Sequence, residues 1–100
     1  MAKSNPLSLL GLAQRAGRTL DGESRILKAF QSSQIQLIFL AKDAGQNITK
    51  KIHDKCLSYE IVCVNEFLKE ELSQAVGKSR TVIAVTDIEF AKMILKALKQ

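Results

Sequence analysis

The residues best equipped for chemistry are cations placed around two turns. The stretch Thr19-Leu20-Asp21-Gly22-Glu23-Ser24-Arg25-Ile26-Leu27-Lys28-Ala29 reads as a short strand turning directly into a helix, with Arg15, Arg18, Arg25 and Lys28 on both sides of the turn. Asp21 or Gly22 is the expected N-cap, and the first-turn N–H groups at the positive end of a helix suit an anion such as phosphate. Further along, Val76-Gly77-Lys78-Ser79-Arg80-Thr81 reads as a loop between a helix end and a strand. Gly77 is the expected helix terminator. Lys78, Ser79 and Arg80 offer donors to phosphates and base edges, and Val76 offers an apolar surface for an unstacked base. Each stretch alone also fits an ordinary turn with solvated cations.

Catalytic chemistry has little support. There is no G-x-S-x-G, Walker loop, G-x-G-x-x-G or cluster of metal ligands. His53 lies among lysines, as a solvated surface residue does. Asp43 and Asp54 are an exposed acidic pair at most, and Glu70 and Glu71 suit a solvated helix face. Cys56 and Cys63 form no C-x-x-C, and the single histidine leaves no four-ligand zinc set. Both cysteines are expected as buried thiols. No catalytic residue, metal or cofactor is expected.

The charge is unevenly distributed. Residues 1–55 carry nine Lys/Arg against four Asp/Glu, and residues 56–100 carry six of each, so the first half holds the whole net +5. That excess includes Lys42, Lys50, Lys51 and Lys55, and it favours a nucleic-acid partner over an acidic membrane or protein surface. A chain of 100 residues with 46% hydrophobic and 25% charged residues is expected to fold as one domain, 1–100, around one core. No apolar run approaches the roughly 20 residues of a membrane span. The leucines near the N-terminus give way to Gln14 and Arg15, as in an amphipathic helix rather than a signal peptide, and a cytoplasmic location is expected.

The elements that must position these residues follow from periodicity. Ser4-Asn5-Pro6 starts a first helix, with Asn5 as cap, Leu7, Leu10 and Ala13 on its apolar stripe and Gly17 as terminator. A strand at 18–20 leads to a helix over 22–32. Ile35 to Ala41 is a strand with both faces buried. Asn47 caps a third helix to Tyr59, with Ile48, Ile52 and Cys56 inward, and Ile61 to Val64 is a strand parallel to the previous one through a right-handed crossover. Asn65 caps a shorter helix ending at Gly77. Thr81 to Val85 is a strand, and Asp87 caps a last helix with Phe90, Met93, Ile94, Ala97 and Leu98 inside. The order α-β-α-β-α-β-α-β-α places helices on both faces of a small mixed sheet.

Three stretches together resemble the ribosomal L-seven-Ae and L-thirty-e group of kink-turn RNA-binding proteins. Gly22-Glu23-Ser24-Arg25-Ile26-Leu27-Lys28-Ala29 is similar to the group's Gly-x-Asn-Glu-x-x-Lys-Ala motif. Leu37 to Ala44 is similar to its apolar strand followed by Ala-x-Asp, and Leu72 to Arg80 to its Leu-Gly-x-Ala-x-Gly-x-Ser-Arg loop. The compact form starting LGLAQRAGRTLDGE is similar to small ribosomal-type proteins of Gram-positive bacteria. The resemblance implies an α/β three-layer α/β/α sandwich with a small mixed β-sheet. It also implies a monomer, non-catalytic and ribosome-associated, that binds structured RNA (ribosomal or another kink-turn RNA).

In this reading the helix start from Gly22 through Glu23, Ser24 and Arg25 to Lys28 meets tandem G·A pairs and adjoining phosphates. Lys69 and the loop Val76, Gly77, Lys78, Ser79 and Arg80 hold an extruded nucleotide, and Lys42 adds charge. The group's Asn-Glu is Ser24-Arg25 here. Glutamate accepts from a guanine edge, whereas arginine only donates, to guanine O6 and N7 or to phosphate. The proline that often follows the loop arginine is Thr81. The Ser24-Arg25 departure leaves open a protein-interaction module of the same fold in a ribonucleoprotein or translation complex. A thiol-dependent or phosphate-handling enzyme would need a reactive Cys56 or Cys63.

Overall fold

The computed structural model describes residues 5–99; Ser4, read above as part of the first helix start, lies outside them. Helix α1 spans Pro6–Arg15, with Asn5 Oδ1 accepting from the Leu7 N–H at 2.8 Å and Pro6 in its first turn. Strand β1 is Thr19–Asp21 and α2 is Glu23–Ala29, which tightens into a 3-10 turn at Phe30–Ser32. The single helix expected over 22–32 is thus interrupted, and the chain leaves it through Ser33 at φ 59. Strand β2 is Leu37–Leu40, α3 is Gln46–Tyr59, β3 is Cys63–Val64, α4 is Lys69–Val76, β4 is Val82–Val85 and α5 is Ile88–Leu98.

The four strands lie in the order β1-β4-β2-β3, with β4 antiparallel to both β1 and β2, and β3 parallel to β2. The parallel β2–α3–β3 unit and the mixed sheet are those expected from the pattern. Successive residues of a strand face opposite sides of a sheet, and the core divides accordingly. Leu37 and Phe39 pack with Leu10, Leu72, Val76 and Ile94 under α1, α4 and α5. Ile38 and Leu40 pack with Ile26, Phe30 and Ile52 under α2 and α3. All four β2 residues are completely buried, each contributing about 1.5–3 kcal/mol of hydrophobic stabilisation. Helices on both faces of this sheet make the three layers.

Several local expectations give way to longer-range contacts. Asn47 lies inside α3, whose N-cap is Gly45. Asn65 caps no helix; its side-chain amide donates to the Leu40 carbonyl at 2.8 Å and ties the end of β3 to β2. Helix α4 begins later, and Leu68 and Lys69 donate their N–H groups to Glu71 Oε1 at 2.9 Å and Asp43 Oδ1 at 2.8 Å. Asp43 therefore caps α4 and does not approach Asp54, which pairs with Lys50. Met93, expected inside, is 45% exposed.

Cys56 is buried, Cys63 only half-buried, and both are free thiols. The neighbouring Cys63 thiol and burial push the Cys56 thiol well above its ordinary range, while the interaction with Cys56 lowers that of Cys63. No described helix is long and apolar enough to cross a membrane.

Candidate nucleic-acid interface

Strands β1, β2 and β3 run in one direction and β4 in the other. The C-terminal ends of the first three therefore meet the N-terminal end of β4 at one end of the sheet. The start of α2, the loop from Lys42 to Gly45, the segment before α4 and the loop from Gly77 to Thr81 converge there. Open α/β sheets bind ligands at the carboxyl ends of their strands. A cleft of about 270 Å³ opens between these segments, lined by Gly22, Glu23, Gly45, Ile48, Ser79, Arg80, Thr81 and Val82. The two stretches singled out for their cations are thus neighbours in space.

The loop is held from both sides. Gly77 takes the left-handed conformation at φ 75 that ends α4, a region other residues enter at a cost of about 1–2 kcal/mol. The Ser73 carbonyl accepts from Gly77 at 2.9 Å and Lys78 at 3.2 Å. Ser73 Oγ accepts from the Arg80 N–H at 3.0 Å and donates to the Arg80 carbonyl at 3.3 Å. One serine in α4 thereby grips both ends of the turn. Across it, Asp21 Oδ2 lies 3.0 Å from both Lys78 Nζ and Arg80 Nε. Arg80 Nε is buried and its N–H is not well aimed at the carboxylate, so this contact is an ion pair rather than a directed hydrogen bond. Arg80 Nη1 donates to the Ser79 carbonyl at 2.7 Å. Partial burial opposes ionisation of Asp21, but its contacts with Lys78 and Arg80 outweigh that and hold its carboxyl below the ordinary value.

Gly22 sits at φ 93 before α2, and no side chain caps that helix. Asp21 therefore clamps the distant loop instead of capping the adjacent helix. Because α2 has seven residues and Glu23 in its first turn, its dipole adds little for an anion, and the side-chain cations matter more. Glu23 Oε2 lies 3.6 Å from Lys51 Nζ. Ser24, Arg25 and Lys28 are exposed on α2, but Lys28 lies beyond the cleft, beside Leu27 and α3. Lys42 and Lys69 are exposed at the same sheet end, linked through the contact of Asp43 with the Lys69 backbone.

Val76 is 6% exposed and belongs to the core, so it does not present the apolar surface expected of it. Half-buried Ile48 supplies that surface from the first turn of α3. Asp21, read as a helix cap, serves instead as a clamp, and Gly45, Ile48 and Ser73 are contributors that sequence reasoning did not assign to the site. Among them only Gly45, a glycine in a polar loop, carried a local signal. Among the described residues no three His, Cys, Asp or Glu groups converge as a metal site.

A mixed-sheet α/β/α protein whose strand-end cleft brings together the start of α2 and the 77–80 loop is the class this geometry defines. A model of the Ribosomal protein L7Ae/L30e/S12e/Gadd45 family matches residues 5–95, and the chain belongs to that family. It is 36% identical over 90 residues to the RNA-binding protein YlxQ of Enterococcus faecium, covering 90% of this chain and 87% of that one. Its identity to the RNA-binding protein YlxQ of Bacillus subtilis is 36% over 91 residues, covering 90% and 91% of the two. A structure of a protein with unknown function from Bacillus halodurans superposes with a TM-score of 0.91 at 39% identity, covering 98% of this chain and 100% of that one. The Giardia lamblia 15.5kD RNA binding protein shares the fold, with a TM-score of 0.74 at 19% identity over 93% of this chain and 84% of that one.

Proposed function

We propose that this protein is a non-catalytic binder of structured RNA that grips a kinked, non-helical segment at the sheet end, in the cytoplasm and in association with the ribosome. The observation that carries the reading is the meeting of the α2 start and the 77–80 loop in one cleft, with Arg80 in its lining and Lys78 on the same loop, both paired with Asp21. RNA with unstacked bases is read by shape, by stacking and by donors to base edges and backbone. Arg25 and Ser24 face the duplex beside the kink. Ser79, Arg80 and Ile48 receive an extruded nucleotide, and Lys42, Lys69 and Lys78 meet phosphates. The names of the relatives from Enterococcus faecium and Bacillus subtilis support RNA as the partner.

The test is binding to a kink-turn RNA and to a twin whose G·A pairs are converted to Watson–Crick pairs, across a salt series. Strong preference for the kinked RNA at physiological salt is expected. Equal and steeply salt-dependent binding reduces the reading to a basic face gripping RNA without structural selectivity. Binding to neither moves the function to a protein partner, the reading that Arg25, in place of an acceptor carboxylate, favours.

A further inference from the structure

The cleft leaves out three lysines that contribute to the charge excess of the first half. Lys50, Lys51 and Lys55 lie on α3, and the last two border a separate groove of about 440 Å³ between α2 and α3, facing Lys28 across a floor made by Leu27. Cations thus stand on both walls. Asp54 is the carboxylate in this lining, and Lys50 engages it at 3.2 Å. Lys51 and Lys55 are one helical turn apart, roughly 6 Å along the axis. The Lys55 ammonium lies 5.9 Å from the centre of the Tyr59 ring, which steadies its position. The groove lies beside the cleft: Lys51 on its wall pairs at 3.6 Å with Glu23, which lines the cleft. That pair is exposed on both sides and weak, so the lysine is free to exchange it for a phosphate.

We infer that the α2–α3 groove carries the phosphodiester backbone of a stem leaving the kinked segment, extending the interface beyond the cleft. The inference rests on the RNA-binding reading of the cleft. A backbone needs charge along a track and no shaped pocket, which is what the groove provides. A protein partner fits it less well, since protein interfaces are depleted in lysine and depend on aromatic or arginine anchors in deep pockets. Each phosphate met by a lysine adds about 0.7–0.9 to the slope of log affinity against log salt.

The experiment compares two kinked RNAs, one with minimal stems and one with both stems lengthened, against the unaltered protein and the Lys51→Ala/Lys55→Ala double variant. Both substitutions lie outside the core, and circular dichroism confirms folding. With the unaltered protein, the long RNA is expected to show a salt slope steeper by about two. The double variant loses that increment, binds the long RNA about tenfold more weakly at physiological salt, and keeps its affinity for the short one. An unchanged slope on the long RNA, or equal losses on both RNAs, overturns the groove assignment. Because neither substituted side chain lines the cleft, persisting preference for kinked RNA without dependence on stem length removes the groove alone. Loss of kink preference in the unaltered protein removes the cleft reading instead. An acidic peptide that binds the unaltered protein and not the double variant, with no dependence on RNA length, assigns the groove to a protein partner and overturns the inference.

Discussion

The two helical layers cover the same sheet and are built for different purposes. On the α1/α4/α5 side helices meet closely: a Cβ on Gly11 would lie 2.7 Å from the Ala75 carbonyl oxygen, so α1 and α4 touch backbone to backbone. On the α2/α3 side a lysine-lined groove separates the helices. Basic and acidic side chains are mixed along the first layer, whereas lysines collect on the second. The α1/α4 side also carries a groove, of about 550 Å³, but its lining holds one cation, Arg15, and one carboxylate, Glu71, whereas three lysines and one carboxylate line the α2/α3 groove. The difference between the two faces is thus one of charge, and the proposed RNA interface lies on the lysine-rich one.

Gly11→Ala gives the largest effect and tests this division on the packed side. Overpacking against a backbone atom costs about 1–3 kcal/mol, and removing glycine from a helix interior returns only about 0.5–1 kcal/mol. Net destabilisation is expected, read as a fall of several degrees in Tm, roughly 4–8 °C for each kcal/mol in a domain of this size. RNA affinity of the folded protein is expected to stay unchanged. A variant that keeps its Tm and loses RNA binding would place recognition on the wrong layer.

Asp21→Asn acts where the layers meet and touches both properties. It removes the charge facing Lys78 and Arg80, which are partly exposed, so the stability loss is expected to be about 1 kcal/mol. The sign of its pH dependence follows from the lowered carboxyl pKa. Stabilisation is fully present above the unfolded-state value of about 3.9 and disappears as pH falls through the lower folded value. The parent is therefore expected to lose stability more steeply in acid than the Asn variant, as read by urea unfolding between pH 5 and 2. RNA affinity falls because the loop is no longer ordered in advance.

What the chain discloses about itself follows the same line between local and distant. Helix starts at Asn5-Pro6 and Asp87 are legible because each cap bonds an amide two or three residues away. The strands and the parallel β2–α3–β3 unit are legible because buried runs and β-branched residues mark them, whereas the place of β4 between β1 and β2 has no local mark. Asp21, Asn65 and Asp43 mislead because their partners lie across the sheet, and a residue that looks like a neighbour's cap serves a segment far along the chain. Val76 misleads for a related reason. Its place beside the loop suggests a contact surface, but the turn at Gly77 directs the chain away and leaves the valine inside. The chemistry of the cleft was therefore visible as residue types, and the clamp that shapes it was not.

On the cationic side, Lys28→Ala is expected to lower RNA affinity severalfold and to reduce the salt slope by about one. Lys28 faces the groove with no close apolar burial of its ammonium, so Tm should hold. A folded variant with unchanged RNA affinity and slope removes Lys28 from the interface.

The smallest effect is the sharpest comparison, because stability and recognition should move in opposite directions. Lys50 and Asp54 form an exposed pair one helical turn apart, worth about 0.3–0.5 kcal/mol. Asp54→Asn should lower stability by no more than that amount. The same change removes a carboxylate from a groove proposed to carry phosphates and releases Lys50 toward it. Affinity for the long-stemmed RNA should rise slightly, with little change for the short one. Binding that weakens along with stability would mean that Asp54 orders the groove rather than opposing its occupant, and the lysines of α3 would then be acting through their geometry rather than through their charge.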